Sequence, residues 1–243
     1  MEPELLVYEA DGLSMHGRLF AVEATLGPRP GILVFPEAFG LGEHAIDRAR
    51  RLAERGYVAL ACDLHGESTV HDDFPTVGKL MGALQSDPAR LQARVTAPLE
   101  VLRARNEVDT ARITAIGYCF GGTMALELAR GGSNIAAVVG FHSGLKPVGA
   151  AAQGGFSAKV LMCLGADDPS IDAAQRSAFE DEMRGAHVDW QIHLYGGVVH
   201  SFTNPDADAR GATDFARYDA KADARSWAAM MQFLDETFLT AGR

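Results

Sequence analysis

The sequence predicts an α/β fold, a mainly parallel, doubly wound sheet preceded by an antiparallel hairpin, and three observations carry that reading. Short, nearly continuous apolar runs recur along the chain, most are separated by stretches with helical spacing, and the first apolar residues instead flank a tight-turn dipeptide. Length and composition agree, since 243 residues with 47% hydrophobic and 22% charged content suit one large α/β unit spanning 1–243.

The hairpin is read from Asp11-Gly12, a pair that tolerates the positive φ angles of a two-residue turn. From Gly31 onward the apolar runs are 32–35, 57–62, 113–118, 135–141, 160–165 and 188–195. Strands buried on both faces have this unbroken apolar character, and right-handed crossovers would join them in parallel. Helical spacing is clearest at Ile46, Ala49, Leu52 and Ala53, in a helix that should end before Gly56, with Arg48, Arg50 and Arg51 on a solvated face. The last expected helix is 222–238. The Gly/Ala-rich stretch 144–155 is expected to be a surface loop between two strands.

Charge and cysteine usage narrow the function classes. Twenty-two basic against 32 acidic side chains leave a net charge of −10, which repels phosphate backbones and argues against a nucleic-acid partner. The first residues carry Glu2, Glu4, Glu9 and Asp11 where a signal peptide needs basic and then apolar residues, and no run approaches the roughly 20 apolar residues of a membrane-spanning helix. Cys62, Cys119 and Cys163 are too few for a disulfide framework, so a cytoplasmic setting is expected and each thiol is either filler or chemistry.

The stretch 113–129, ITAIGYCFGGTMALELA, is the most informative. A strand runs into Gly117-Tyr118-Cys119-Phe120-Gly121 and a helix follows at once, the G-x-nucleophile-x-G arrangement of the elbow of the α/β-hydrolase fold. Glycines two residues before and after are needed because the turn is strained and its neighbours pack closely. A thiol at the head of a helix is favoured as thiolate, and the N–H of Phe120 is placed to receive a developing oxyanion. If Cys119 is the nucleophile, an acid and then a base must follow in the chain. The run 160–165 leads into Gly165-Ala166-Asp167-Asp168-Pro169, where Asp168 has the better claim as the acid and Asp167 is the alternative. The run 188–195 leads into a loop that carries His200, a better-placed base than His187 or His193.

Four segments together, VFPEAFGL (34–41), GYCFGG (117–122), GADDP (165–169) and GVVHSF (197–202), resemble the dienelactone hydrolase family, carboxymethylenebutenolidase-like members of the α/β-hydrolases. The resemblance implies a hydrolase of small ester or lactone substrates with no cofactor or metal, acting as a monomer or homodimer. It implies further that Glu37 interacts with the resting thiol of Cys119 and helps to ionise it, that the N–H of Ala38 completes the oxyanion hole with Phe120, and that Phe39 and Phe202 line the pocket. Family members acting on dienelactone would hold its carboxylate with arginines. Here no arginine lies between Arg55 and Arg90, only Lys79, and the position after the histidine is most simply matched by Asn204. A neutral or differently held ester, lactone or thioester is therefore expected. A thioesterase or acyltransferase with the same triad, or an idle fold that uses Cys119 as a redox sensor, are the alternatives.

Other chemistry-bearing residues have plainer readings. Cys62 and Cys163 lie in strand runs and read as small buried hydrophobes. His65 and His71, with Asp63, Asp72 and Asp73, match no metal-ligand spacing, and their segment is expected to be a mobile loop near the pocket. His142, after the run 135–141, is a candidate pocket-lining residue.

Overall fold

A two-residue turn opens the fold. In the computed structural model, which describes residues 1–22, 27–148 and 156–240, β1 (Glu4–Ala10) and β2 (Leu13–Phe20) pair antiparallel. Asp11 and Gly12 between them have φ of 51° and 70°, the positive pair that matches the twist of a hairpin. β2 then pairs antiparallel with β4 (Val58–Ala61). The remaining strands, β3 (Arg29–Phe35), β5 (Val108–Tyr118), β6 (Ala137–Phe141), β7 (Lys159–Gly165) and β8 (Trp190–Tyr195), are all parallel, in the sheet order β1-β2-β4-β3-β5-β6-β7-β8.

Helices cover both faces, which is why the strands carry continuous apolar runs. Within β3, Leu33 and Phe35 enter a core shared with α3 (Pro88–Arg103), α4 (Phe120–Arg130) and α5 (Ala173–Gly185). Ile32 and Val34 enter the opposite core with α1 (Glu43–Ala53) and α6 (Ala220–Thr240). The period of two is thus preserved while every position is buried. α2 (Phe74–Gln85) sits over the carboxyl ends of the strands. Its N-cap Asp73 accepts the N–H of Thr76 at 2.8 Å, and Asp87 caps α3 by accepting from Arg90 N–H at 3.1 Å. Among the described residues no helix is long and apolar enough to cross a membrane.

Arg48 departs from expectation. Arg50 and Arg51 are partly solvated, but the Arg48 side chain is only 3% exposed; it donates to Asp223 Oδ1 at 2.8 Å and to the carbonyl oxygen of Thr203 at 2.6 Å. The reason is positional: Ala45, Arg48, Ala49 and Leu52 form the buried stripe of α1, with Arg48 at its i+3 place. The segment 65–73 is irregular, as expected, but it is tied down: buried Asp63 accepts the N–H groups of His65, Gly66 and Ser68. In the stretch 144–155, residues 144–148 are irregular and 149–155 lie outside the described residues.

Arg48→Met should destabilise the fold by about 2–3 kcal/mol in urea unfolding, because it leaves the Asp223 carboxylate and the Thr203 carbonyl without their buried donor.

Candidate active site

The carboxyl end of β5 turns abruptly into α4, and Cys119 occupies the turn with φ 54° and ψ −122°. A side chain rarely adopts that conformation, so the surroundings must hold it there. A Cβ on Gly117 would run into the carbonyl of Gly121, and one on Gly121 into the carbonyl of Pro36. The N–H of Cys119 is shared between the carbonyl of Phe141 at 2.9 Å and His142 Nδ1 at 3.1 Å. Cys119 is half-buried and opens onto a cavity of about 310 Å³. Cys62 and Cys163 are fully buried, and burial pushes the Cys163 thiol up to about 12 and that of Cys62 higher still; neither reaches the cavity.

The loop after β7 supplies Asp168, whose side chain has no exposed surface. Its Oδ2 accepts from His200 Nδ1 at 2.7 Å, and its Oδ1 accepts from both the N–H of Ser170 at 2.9 Å and the Ser170 hydroxyl at 2.6 Å. The competing Asp167 points to solvent. The loop after β8 supplies His200, held by backbone bonds from His200 N–H to Phe215 O at 3.1 Å and from Arg217 N–H to His200 O at 3.0 Å. Burial alone would depress the His200 imidazole. The negative charge of a Cys119 thiolate, hydrogen bonds to Asp168 and Cys119, and the charge of Asp168 outweigh it and raise the ring from 6.5 to about 10. Cys119, His200 and Asp168 are therefore brought together in the order expected from the chain.

The cavity is bounded by Ala38 and Phe39 after β3, by Phe120 and Thr123 of α4, and by one face of α2 with Phe74, Val77 and Met81. Phe74 and Phe215 are exposed at its mouth. Phe39 lies on the wall as expected. Phe202 and His142 do not: both are fully buried beneath the floor, with ring centroids 5.2 Å apart.

A family model for dienelactone hydrolases matches residues 15–238. The chain belongs to the dienelactone hydrolase family. It is a hydrolase of carboxylic ester bonds with the α/β-hydrolase fold. The crystal structure of a dienelactone hydrolase-like promiscuous phosphotriesterase, P91, from metagenomic libraries is 42% identical with a TM-score of 0.90, covering 97% of this chain and 98% of that one. A structure designated m3DLH is 44% identical with a TM-score of 0.93 over the same shares. A Bradyrhizobium protein named "Probable 2-oxo-3-(5-oxofuran-2-ylidene)propanoate lactonase" is 29% identical over 195 residues, 75% of this chain and 77% of its own length.

Dienelactone hydrolase family membership suggested a contact between Glu37 and the thiol, and the structure places the Glu37 carboxylate elsewhere. Buried Glu37 accepts from Ser201 Oγ at 3.0 Å, Asn204 Nδ2 at 2.6 Å and Arg210 Nη2 at 3.0 Å. Burial would raise its pKa, but His44, Arg210 and the hydrogen bonds from Arg210 and Asn204 hold it below the ordinary glutamate value. Asn204 thus serves Glu37 and does not line the main cavity. No arginine directly follows His200 in sequence, yet Arg210 reaches the cavity wall from the turn Asp208–Arg210 and lies 4.1 Å from the Phe39 ring centroid. Arg210, Ser170 and the α2 face went unrecognised. Only α2 had a usable signal, the 74, 77, 81 spacing behind an Asp N-cap and a proline.

The His200 ring tests the electrostatics directly. In Cys119→Ser protein it loses the thiolate charge and should titrate more than one unit lower, which NMR of the imidazole measures. Because the folded value lies above 6.5, the wild-type contribution to stability is complete below about pH 6.5 and fades as pH rises toward 10; the serine variant should show a narrower window in melting temperature.

Proposed function

We propose that the protein cleaves a small ester or lactone through a thioester formed on Cys119. The observation that carries this reading is the solvent-accessible thiol at a strained strand-to-helix turn, beside a buried Asp168–His200 pair at 2.7 Å. The Cys119 thiolate attacks the carbonyl carbon, and the N–H groups of Phe120 and Ala38 receive the oxyanion. As the tetrahedral adduct collapses, the His200 imidazolium gives its proton to the departing alkoxide, leaving a thioester and a neutral imidazole. His200 then takes a proton from water as the hydroxide adds to the thioester, and the second collapse returns the thiolate and the acid product. Asp168 holds the ring in one orientation through both steps.

Neutral substrates fit the charge balance of the cavity. Arg210 on its wall is already paired with buried Glu37, and His200 with buried Asp168, so an anionic substrate would have to compete with those carboxylates. A phosphotriester is a second reading, favoured by the 42% identity to P91: thiolate attack at phosphorus would place P–O⁻ in the same donor pair. The whole chain 1–243 is read as one catalytic unit, and its three free thiols are compatible with a reducing setting.

Cys119→Ala should lower kcat/KM on a chromogenic short-chain ester by about 10⁴-fold or more, and intact-mass analysis of wild type mixed with a slow ester should show an acylated chain. Activity retained by the alanine variant overturns the mechanism; no acylation, with reversible oxidation of Cys119 instead, favours a sensor. Across a matched panel, neutral lactones should exceed carboxylated ones by about tenfold in kcat/KM, the scale of one charge-assisted contact, while preferred turnover of acyl-thioesters would redirect the assignment to a thioesterase.

A further inference from the structure

A buried imidazole lies directly beneath the reacting pair and has no part in the chemistry above. His142 follows β6, is fully buried and adopts a φ of +42°, a conformation that few side chains tolerate without local support. Its Nδ1 lies 3.1 Å from the backbone nitrogen of Cys119, whose N–H it shares with the carbonyl oxygen of Phe141 at 2.9 Å. A backbone N–H can only donate, so Nδ1 is the acceptor and the ring proton resides on Nε2. That Nε2–H reaches Thr203 Oγ1 at 2.9 Å, and the same hydroxyl lies 3.3 Å from His44 Nε2. Thr203 lies in the turn just after His200, and its carbonyl oxygen is held by Arg48 Nη2 at 2.6 Å, with Arg48 in turn paired to Asp223 of α6. One ring therefore joins the backbone that carries the thiol to the segment that carries the base, and the far end is anchored on two helices.

We propose that neutral His142 and Thr203 form a positioning clip that fixes the separation of Cys119 and His200. The inference rests on the reading of those two residues as nucleophile and base. Each comes from a different crossover, β5 to α4 in one case and the loop after β8 in the other, so nothing local in sequence sets their distance. The clip spans that gap with two hydrogen bonds, and a misplacement of about 1 Å at a reacting centre is enough to lose about 10²-fold in rate. Only one protonation state serves: a proton on Nδ1 would set an N–H against the N–H of Cys119. Burial, reinforced by His200, His44 and Arg48, keeps the His142 ring well below 6.5, which is compatible with an imidazolium at His200, whose ring centroid is 5.2 Å away.

Thr203→Val, which keeps the shape and loses the hydroxyl, should lower kcat about tenfold, leave KM within about twofold, and move the His200 titration midpoint down as the thiolate contact loosens. Thr203→Ser, which keeps the hydroxyl, should restore both. The two readouts separate positioning from packing, because a merely structural loss lowers melting temperature and activity without moving the His200 midpoint. Equal kcat and equal midpoints in the two variants, or a loss of kcat with an unmoved midpoint, overturn the proposal. Nitrogen-15 shifts of wild-type His142 test it without any substitution: a neutral ring protonated on Nε2 is expected at neutral pH, and an Nδ1-protonated or charged ring overturns it. Should Cys119→Ala retain activity, the nucleophile assignment fails on its own ground, whereas failure of the clip leaves that assignment standing.

Discussion

The close approach of two backbone segments at Cys119 is the constraint on which the site depends. β5 must stop, reverse direction and start α4 within one residue, so Gly117 passes against the carbonyl of Gly121 while Gly121 passes against that of Pro36. This packing presses the end of β3 against the start of α4, and it brings Ala38 and Phe120 to the same side of the thiol. A strained φ of 54° at Cys119 is the consequence. The strain persists because both sheet faces are filled, one core by α1 and α6, the other by α3, α4 and α5, and neither can relax without opening the sheet.

Charge is arranged around that turn in compensated pairs. Cys119 and Asp168 flank His200 and raise its imidazole, despite burial that acts in the opposite direction. Glu37 carries its negative charge because Arg210, Asn204 and Ser201 surround it. Arg48 is buried against Asp223. In each case the burial penalty is offset by a partner from a remote part of the chain, so the pairs couple tertiary closure to the ionisation state of the site. The net charge of −10 therefore says little about the cavity itself, whose wall holds a cation neutralised by an adjacent carboxylate.

What could be read in the sequence follows from how local each signal is. The hairpin, the strand positions, the elbow and the order Cys119, Asp168, His200 are written in contiguous residues, because strand ends and tight turns demand particular residue types at fixed offsets. The β-strand bounds shifted by a few residues, as expected where the pairing partner decides the end. Arg48 reads as solvated from its charge alone, but its position in the Ala45, Ala49, Leu52 stripe is what buries it. Arg210 was invisible for a different reason. It reaches Glu37 across 173 residues of sequence from an irregular loop, and no offset from His200 announces that closure.

The same division explains how reactivity and selectivity are distributed over this fold. Cys119, Asp168 and His200 sit where strands end, on backbone that the two cores hold, and the turn at Cys119 has a geometry that few residues can satisfy. Much of the cavity wall comes instead from α2 and the 210–216 segment, which present Phe74 and Phe215 to solvent. Substitutions there change the shape of the mouth without disturbing the turn at Cys119, since no elbow hydrogen bond passes through them. Selectivity among ester substrates should therefore be far more plastic than the chemistry. The Phe39–Arg210–Glu37 stack is the exception, because it joins the mouth to a buried carboxylate next to Ala38, and a change at Arg210 alters both the wall and the charge behind it.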